Sequence, residues 1–167
     1  VLFNRDQDDP LMSSVTSDNT AGGRKVAELF LAAGHKKIGY IAGWEGASTQ
    51  RDREAGFVAR LSEAGSALFA REVGNFRMDT AREAALSMFS REPPDAVFVA
   101  NDHMAIAVMD TLRYELGIKI PEDGAVVGYD ASKISVAITK AYLEVEGGNA
   151  ADSTRIHESV AQLTDQI

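Results

Sequence analysis

Short apolar runs alternate with longer segments whose apolar residues recur at helical spacing, and this alternation narrows the possible folds more than any other feature of the chain. The runs "KIGYIAG" (37–43), "ALFAREVG" (67–74), "DAVFVA" (95–100) and "GAVVGY" (124–129) have the length and content of strands, and "SSVTSDN" (13–19) is a shorter β-like run before them. Between them lie predicted helices. Thr20–Ala33 carries Val26, Ala27, Leu29, Phe30 and Leu31 and stops at Gly34, a C-terminal cap; Thr49–Ala64, Asp79–Ser90 and Asp102–Leu116 follow. Strands apolar on both faces must be covered on both faces, and helices between successive strands supply that cover. The expectation is a three-layer α/β/α domain with a mostly parallel sheet and right-handed crossovers.

In an open parallel sheet, ligands bind outside the carboxyl ends of the strands. The residues placed there are "GWEGASTQRDR" (43–53), "GNF" (74–76), Asn101 with Asp102, and Asp130. The rim would thus carry Trp44, Arg53, Phe76, Asn101 and Asp130. Carboxylate, amide and guanidinium groups each bond two neighbouring hydroxyls, and an aromatic ring covers the C–H face of a sugar-like ring. Each residue also has a plainer reading. Asp102 caps the helix that follows, Arg53 pairs with Asp52 or Glu54, Phe76 is core, and Asp130 is a turn residue.

Other chemistry finds little support. The three His, at 35, 103 and 157, have no helical metal-pair spacing, and no metal site or cofactor is expected. No strand-to-helix nucleophile elbow occurs, and "GWEGAS" lacks the Lys-Ser ending of a phosphate-binding loop, so no enzyme activity is expected. The chain has no Cys, which removes disulfides and thiolate chemistry and fits a reducing compartment. A net charge of -8 opposes a grip on a phosphate backbone. No apolar run suggests a membrane partner.

The stretches "SDNTAGGRKVAELFLAAGHKKIGYIAG", "RDREAGF" and "PDAVFVANDHMAIAVMDTLRYELGIKIPEDGAVVGYD" resemble, in order, the effector-binding core of bacterial regulators of the lactose and galactose repressor family. The resemblance implies one lobe of a periplasmic-binding-protein-like fold, entered from the other lobe at "VLFNR". It places Arg53, Asn101 and Asp130 at polar ligand-contacting positions and Phe76 at a stacking position, with Asn101 facing the effector while Asp102 caps the helix. It implies a small effector of the sugar type, a cytoplasmic homodimer with Ile106 and Asp110 at the interface, and DNA contact only through a domain outside this chain. A periplasmic sugar-binding protein and a flavodoxin-like phosphate-binding enzyme domain are the alternatives.

The expected organisation is an effector-binding lobe over 1–130 and an atypical tail over 131–167 packed on the same lobe. After "GYD" the tail departs from the family pattern by lacking its Leu-Thr-Thr-Val stretch. Within it, Ser135–Glu144 is expected to be helical and Thr154–Ala161 a strand or helix.

Overall fold

The computed structural model describes Leu2, Phe3 and residues 13–129. Asp130, the expected helix Ser135–Glu144 and the segment Thr154–Ala161 lie outside the described residues.

Four parallel strands form the main sheet. In chain order the elements are β1 (Leu2–Phe3), β2 (Ser14–Val15), α1 (Asn19–Ala32), β3 (Ile38–Ala42), α2 (Ser48–Glu63), β4 (Ala70–Val73), α3 (Met78–Phe89), β5 (Ala96–Val99), α4 (Asp102–Asp110) and β6 (Ala125–Val127). The sheet order is β4-β3-β5-β6, with Tyr40 opposite Arg71 on one side and Phe98 on the other. β1 and β2 form a separate parallel pair, so only Ser14 and Val15 of the expected 13–19 run are strand.

All five residues of β3 and all four of β5 are buried, which is why these runs carry no alternation of polar and apolar residues. Helix α1 packs on α2, and α3 on α4. The chain steps from β3 outward to β4, then reverses across β3 to β5 and continues to β6. With right-handed crossovers this reversal puts α2 on one face of the sheet and α3 and α4 on the other. The core between the layers includes Phe30, Tyr40, Phe57, Phe98, Met104 and Leu112.

Two local features follow directly from residue chemistry. Gly34 takes φ +85, and Gly34 N–H and His35 N–H bond back to the Leu31 and Phe30 carbonyls, so the expected glycine cap closes α1. Helices α1 and α2 meet at glycines. A Cβ on Gly23 would collide with the Arg53 carbonyl oxygen, and one on Gly56 with the Thr20 carbonyl oxygen. The predicted helix over 102–116 is α-helical only to Asp110 and continues as a wider π turn through Thr111–Glu115.

Candidate functional site at the strand ends

The reversal of chain direction between neighbouring β3 and β5 is a topological switch point, the place at which open parallel sheets commonly take their ligands. Four of the five expected site residues stand at this end of the sheet. Trp44 lies in the loop after β3, Arg53 in α2, Phe76 in the loop after β4 and Asn101 directly after β5. The fifth, Asp130, is outside the described residues.

Arg53 is 2% exposed, which removes it from any pairing on a solvated helix face. One guanidinium nitrogen donates to the Ala100 carbonyl, the residue before Asn101, and the other donates to Asn19 Oδ1 at 2.7 Å. The guanidinium carbon sits 3.6 Å from the centre of the Tyr129 ring, a stacked cation–π arrangement. Arg53 therefore ties the start of α1, the end of β5 and the end of β6 into one piece. Asn19 is itself 2% exposed, and its Nδ2 donates to Thr16 Oγ1 and to the Ser17 carbonyl.

Asn101 corrects one expectation. The helix cap is Asn101, not Asp102: Asn101 has extended backbone angles of φ -152 and ψ 168, and its Oδ1 accepts the Met104 N–H at 2.9 Å. Asp102 occupies the first turn, where its charge suits the helix dipole, and its carboxylate lies over Gly128. An amide has two ends, so capping through Oδ1 does not use the Nδ2 donor of Asn101.

Phe76 joins two strand ends. A Cβ on Gly43 would fall inside the Phe76 ring, so the ring occupies the space that the missing side chain leaves. The loop that presents it is strained: Asn75 and Phe76 have φ of 53 and 58, the left-handed region that an aromatic residue seldom adopts. Thr80 Oγ1 and Arg77 N–H both donate to the Gly74 carbonyl and hold the turn. Trp44 is 58% exposed, with its ring over Gly46.

Sequence reasoning missed Gln50. It is 1% exposed; its Oε1 accepts from Tyr40 Oη at 2.9 Å and Gly43 N–H at 2.7 Å, and its Nε2 donates to Glu54 at 2.8 Å. Burial raises the Tyr40 phenol above its ordinary range, so it remains a proton donor to Gln50. A Gln among polar helix residues gives no periodic signal. Asn19 lay inside a quoted motif, but its link to Arg53 spans 34 residues and has no local mark.

Ile106 and Asp110, expected at an interface, are both half-buried. Asp110 borders an open groove of about 350 Å³ between α3 and the end of α4, lined also by Met78, Asp79, Arg82 and Tyr114. Ile106 is not among its lining residues.

Residues 12–147 match the family described as periplasmic binding protein-like domain. The chain belongs to that family. As a periplasmic binding protein-like domain it is similar to HTH-type transcriptional regulators. It is 36% identical to CelR of Thermobifida fusca, over 74% of this chain and 37% of the relative. It is 30% identical to the probable repressor ExuR of Bacillus subtilis, over 83% of this chain and 42% of the relative. Among solved structures, a CelR–cellobiose complex superposes with a TM-score of 0.72 at 34% identity, over 79% of this chain and 42% of that one. A LacI-family regulator from a Rhodococcus species gives 0.72 at 30% identity, over 80% and 50%. The periplasmic binding protein-like domain is thus of the LacI-regulator type, and this chain spans less than half the length of these curated relatives.

Proposed function

We propose that the chain is the effector-binding lobe of a LacI-family transcriptional regulator and that its effector is a small polyhydroxylated molecule of the saccharide class. The observation that carries this reading is the placement of Trp44, Phe76 and Asn101 at the carboxyl ends of β3, β4 and β5, with the buried Arg53 bonded to the residue before Asn101. Flat aromatic surface beside an amide donor suits vicinal hydroxyls better than an anion or a purely apolar ligand. The similarity to a regulator solved with cellobiose supports the same class.

The regulator reading is favoured over transport because the relatives are repressors and regulators of transcription. It also favours ligand binding over catalysis. A regulator works beside DNA, in the cytoplasm, and with 17 basic against 25 acidic side chains this segment leaves DNA contact to a separate domain. The face formed by α3 and α4 is where a second copy would join, with Asp110 and Ile106 on it.

Calorimetry tests the reading. Titrating cellobiose and common monosaccharides into this chain is expected to give millimolar binding or weaker, about -4 kcal/mol or less favourable, since one lobe covers a ligand on one side only. The same lobe within a complete two-lobe core binds more tightly, and Asn101→Asp, Trp44→Ala or Asp130→Ala weakens the complex. Failure of every saccharide to bind the two-lobe core overturns the effector class. Unchanged affinity in all three variants overturns the residue assignment.

A further inference from the structure

The loop that carries Trp44 is anchored by a chain of polar contacts that ligand binding alone does not require. Gly43 N–H is held by Gln50 Oε1 at 2.7 Å, and Gln50 Nε2 is held by Glu54 at 2.8 Å. Glu54 in turn receives two bonds from Arg71, at 2.6 and 3.0 Å, and the same Arg71 reaches across to Glu45 at 2.9 Å. Glu45 is the neighbour of Trp44 in the loop, and Arg71 lies on β4, at the edge of the sheet. A single guanidinium thus spans from the helix that follows the loop to the middle of the loop itself. Both carboxylates raise the Arg71 guanidinium above its ordinary value.

The two halves of this bridge differ in strength. The Arg71–Glu54 half is forked and sits partly buried, with Glu54 at 21% side-chain exposure. In the Arg71–Glu45 half, Glu45 is 63% exposed, so that contact is weak and open to salt. The strong half fixes Arg71, and the weak half lends that fixity to the loop.

We propose that Arg71 is a positioning residue of the effector site: braced by Glu54, it holds Glu45 and so sets where the exposed Trp44 ring stands at the rim. It touches no ligand and acts through Trp44. The proposal rests on the reading of Trp44 as a ligand-facing residue, but its test needs no ligand. Trp44 is the sole tryptophan of the chain, so all tryptophan emission reports on this loop.

The experiment is acrylamide quenching and emission anisotropy of Trp44 in the 167-residue chain and in Arg71→Met and Glu45→Gln. Both variants are expected to raise the quenching constant by about two-fold and lower the anisotropy, the range open to an exposed ion pair. Far-UV circular dichroism should be unchanged in Glu45→Gln, which leaves Arg71 and Glu54 joined. Sodium chloride at about 1 M, where charges are screened beyond about 3 Å, should reproduce the change in the parent and add nothing in Glu45→Gln. If Glu45→Gln leaves quenching, anisotropy and salt response at parental values, Arg71 does not position Trp44. If these shift as stated while no saccharide binds the two-lobe core, the positioning role stands and the effector class proposed above falls.

Discussion

At the scale of single residues, Asn101 and Arg53, both proposed for the site, have structural roles of their own. Asn101→Ala removes the Oδ1 that accepts the Met104 N–H and is expected to cost about 1 kcal/mol in urea denaturation, whereas Asn101→Asp keeps the cap and the stability. Only the aspartate variant therefore isolates the loss of the Nδ2 donor in a ligand titration. Arg53 is less forgiving. Arg53→Ala leaves the Ala100 carbonyl and Asn19 Oδ1 without their donor inside the core and deletes the stack on Tyr129, for an expected loss of about 3 kcal/mol or more. Arg53→Lys should recover little of it, because an ammonium cannot fork between two acceptors and lie flat on a ring. A measured stability within about 1 kcal/mol of the parent for Arg53→Ala would show that this cluster does not hold the rim together.

At the scale of elements, strand positions were legible because β3 and β5 are apolar without interruption, and burial on both faces is the one environment that selects such runs. Their ends were less so: within the run 67–74, where a strand is expected near 69–73, strand geometry covers only Ala70–Val73, although the Phe69 N–H already donates to the Ile38 carbonyl at 2.9 Å. The cap at 101–102 was misassigned because Asn and Asp cap equally well, and the choice falls to the residue whose backbone is still extended. The π turn at Thr111–Glu115 keeps a helix-like pattern and is invisible to a period of 3.6. The α1–α2 contact could not be read either, as glycine in a helix looks merely unfavourable. Here it permits backbone contact, so Gly23→Ala and Gly56→Ala, which gain about 1 kcal/mol of helix propensity, are nonetheless expected to lower stability by about 1–3 kcal/mol net. Thermal melts showing either variant more stable than the parent would mean that the helices part without cost.

At the scale of the whole molecule, acid should loosen the surface in a defined window. The Arg77 guanidinium, with help from the Thr80 N–H, lowers the Asp79 carboxyl to about 2, and Arg24 lowers that of Glu63. Because these carboxyls bind protons less readily when folded, their contribution is complete above the unfolded values near pH 4. It is lost as pH falls toward 2. Both pairs are exposed, so the effect is small: the parent should lose slightly more melting temperature between pH 5 and pH 2 than Arg77→Met does, and equal losses would show that the pair contributes nothing. Self-association belongs to the same scale. Sedimentation of the purified chain is expected to show a dimer that Ile106→Lys dissociates, and a strictly monomeric parent at high concentration would remove the second copy from the α3–α4 face.

The strand order β4-β3-β5-β6 also bears on how the molecule can be made. Synthesis delivers α1, β3, α2 and β4 before α3 and β5, and these can join with both early helices on one face. The opposite face of β3 stays bare until α3 and β5 arrive more than thirty residues later, although every residue of β3 is buried in the finished fold. A nascent chain halted near residue 77 would expose that face to water and to its neighbours on the ribosome. Release at that length should yield aggregate, whereas a chain carried through residue 129 should come off soluble.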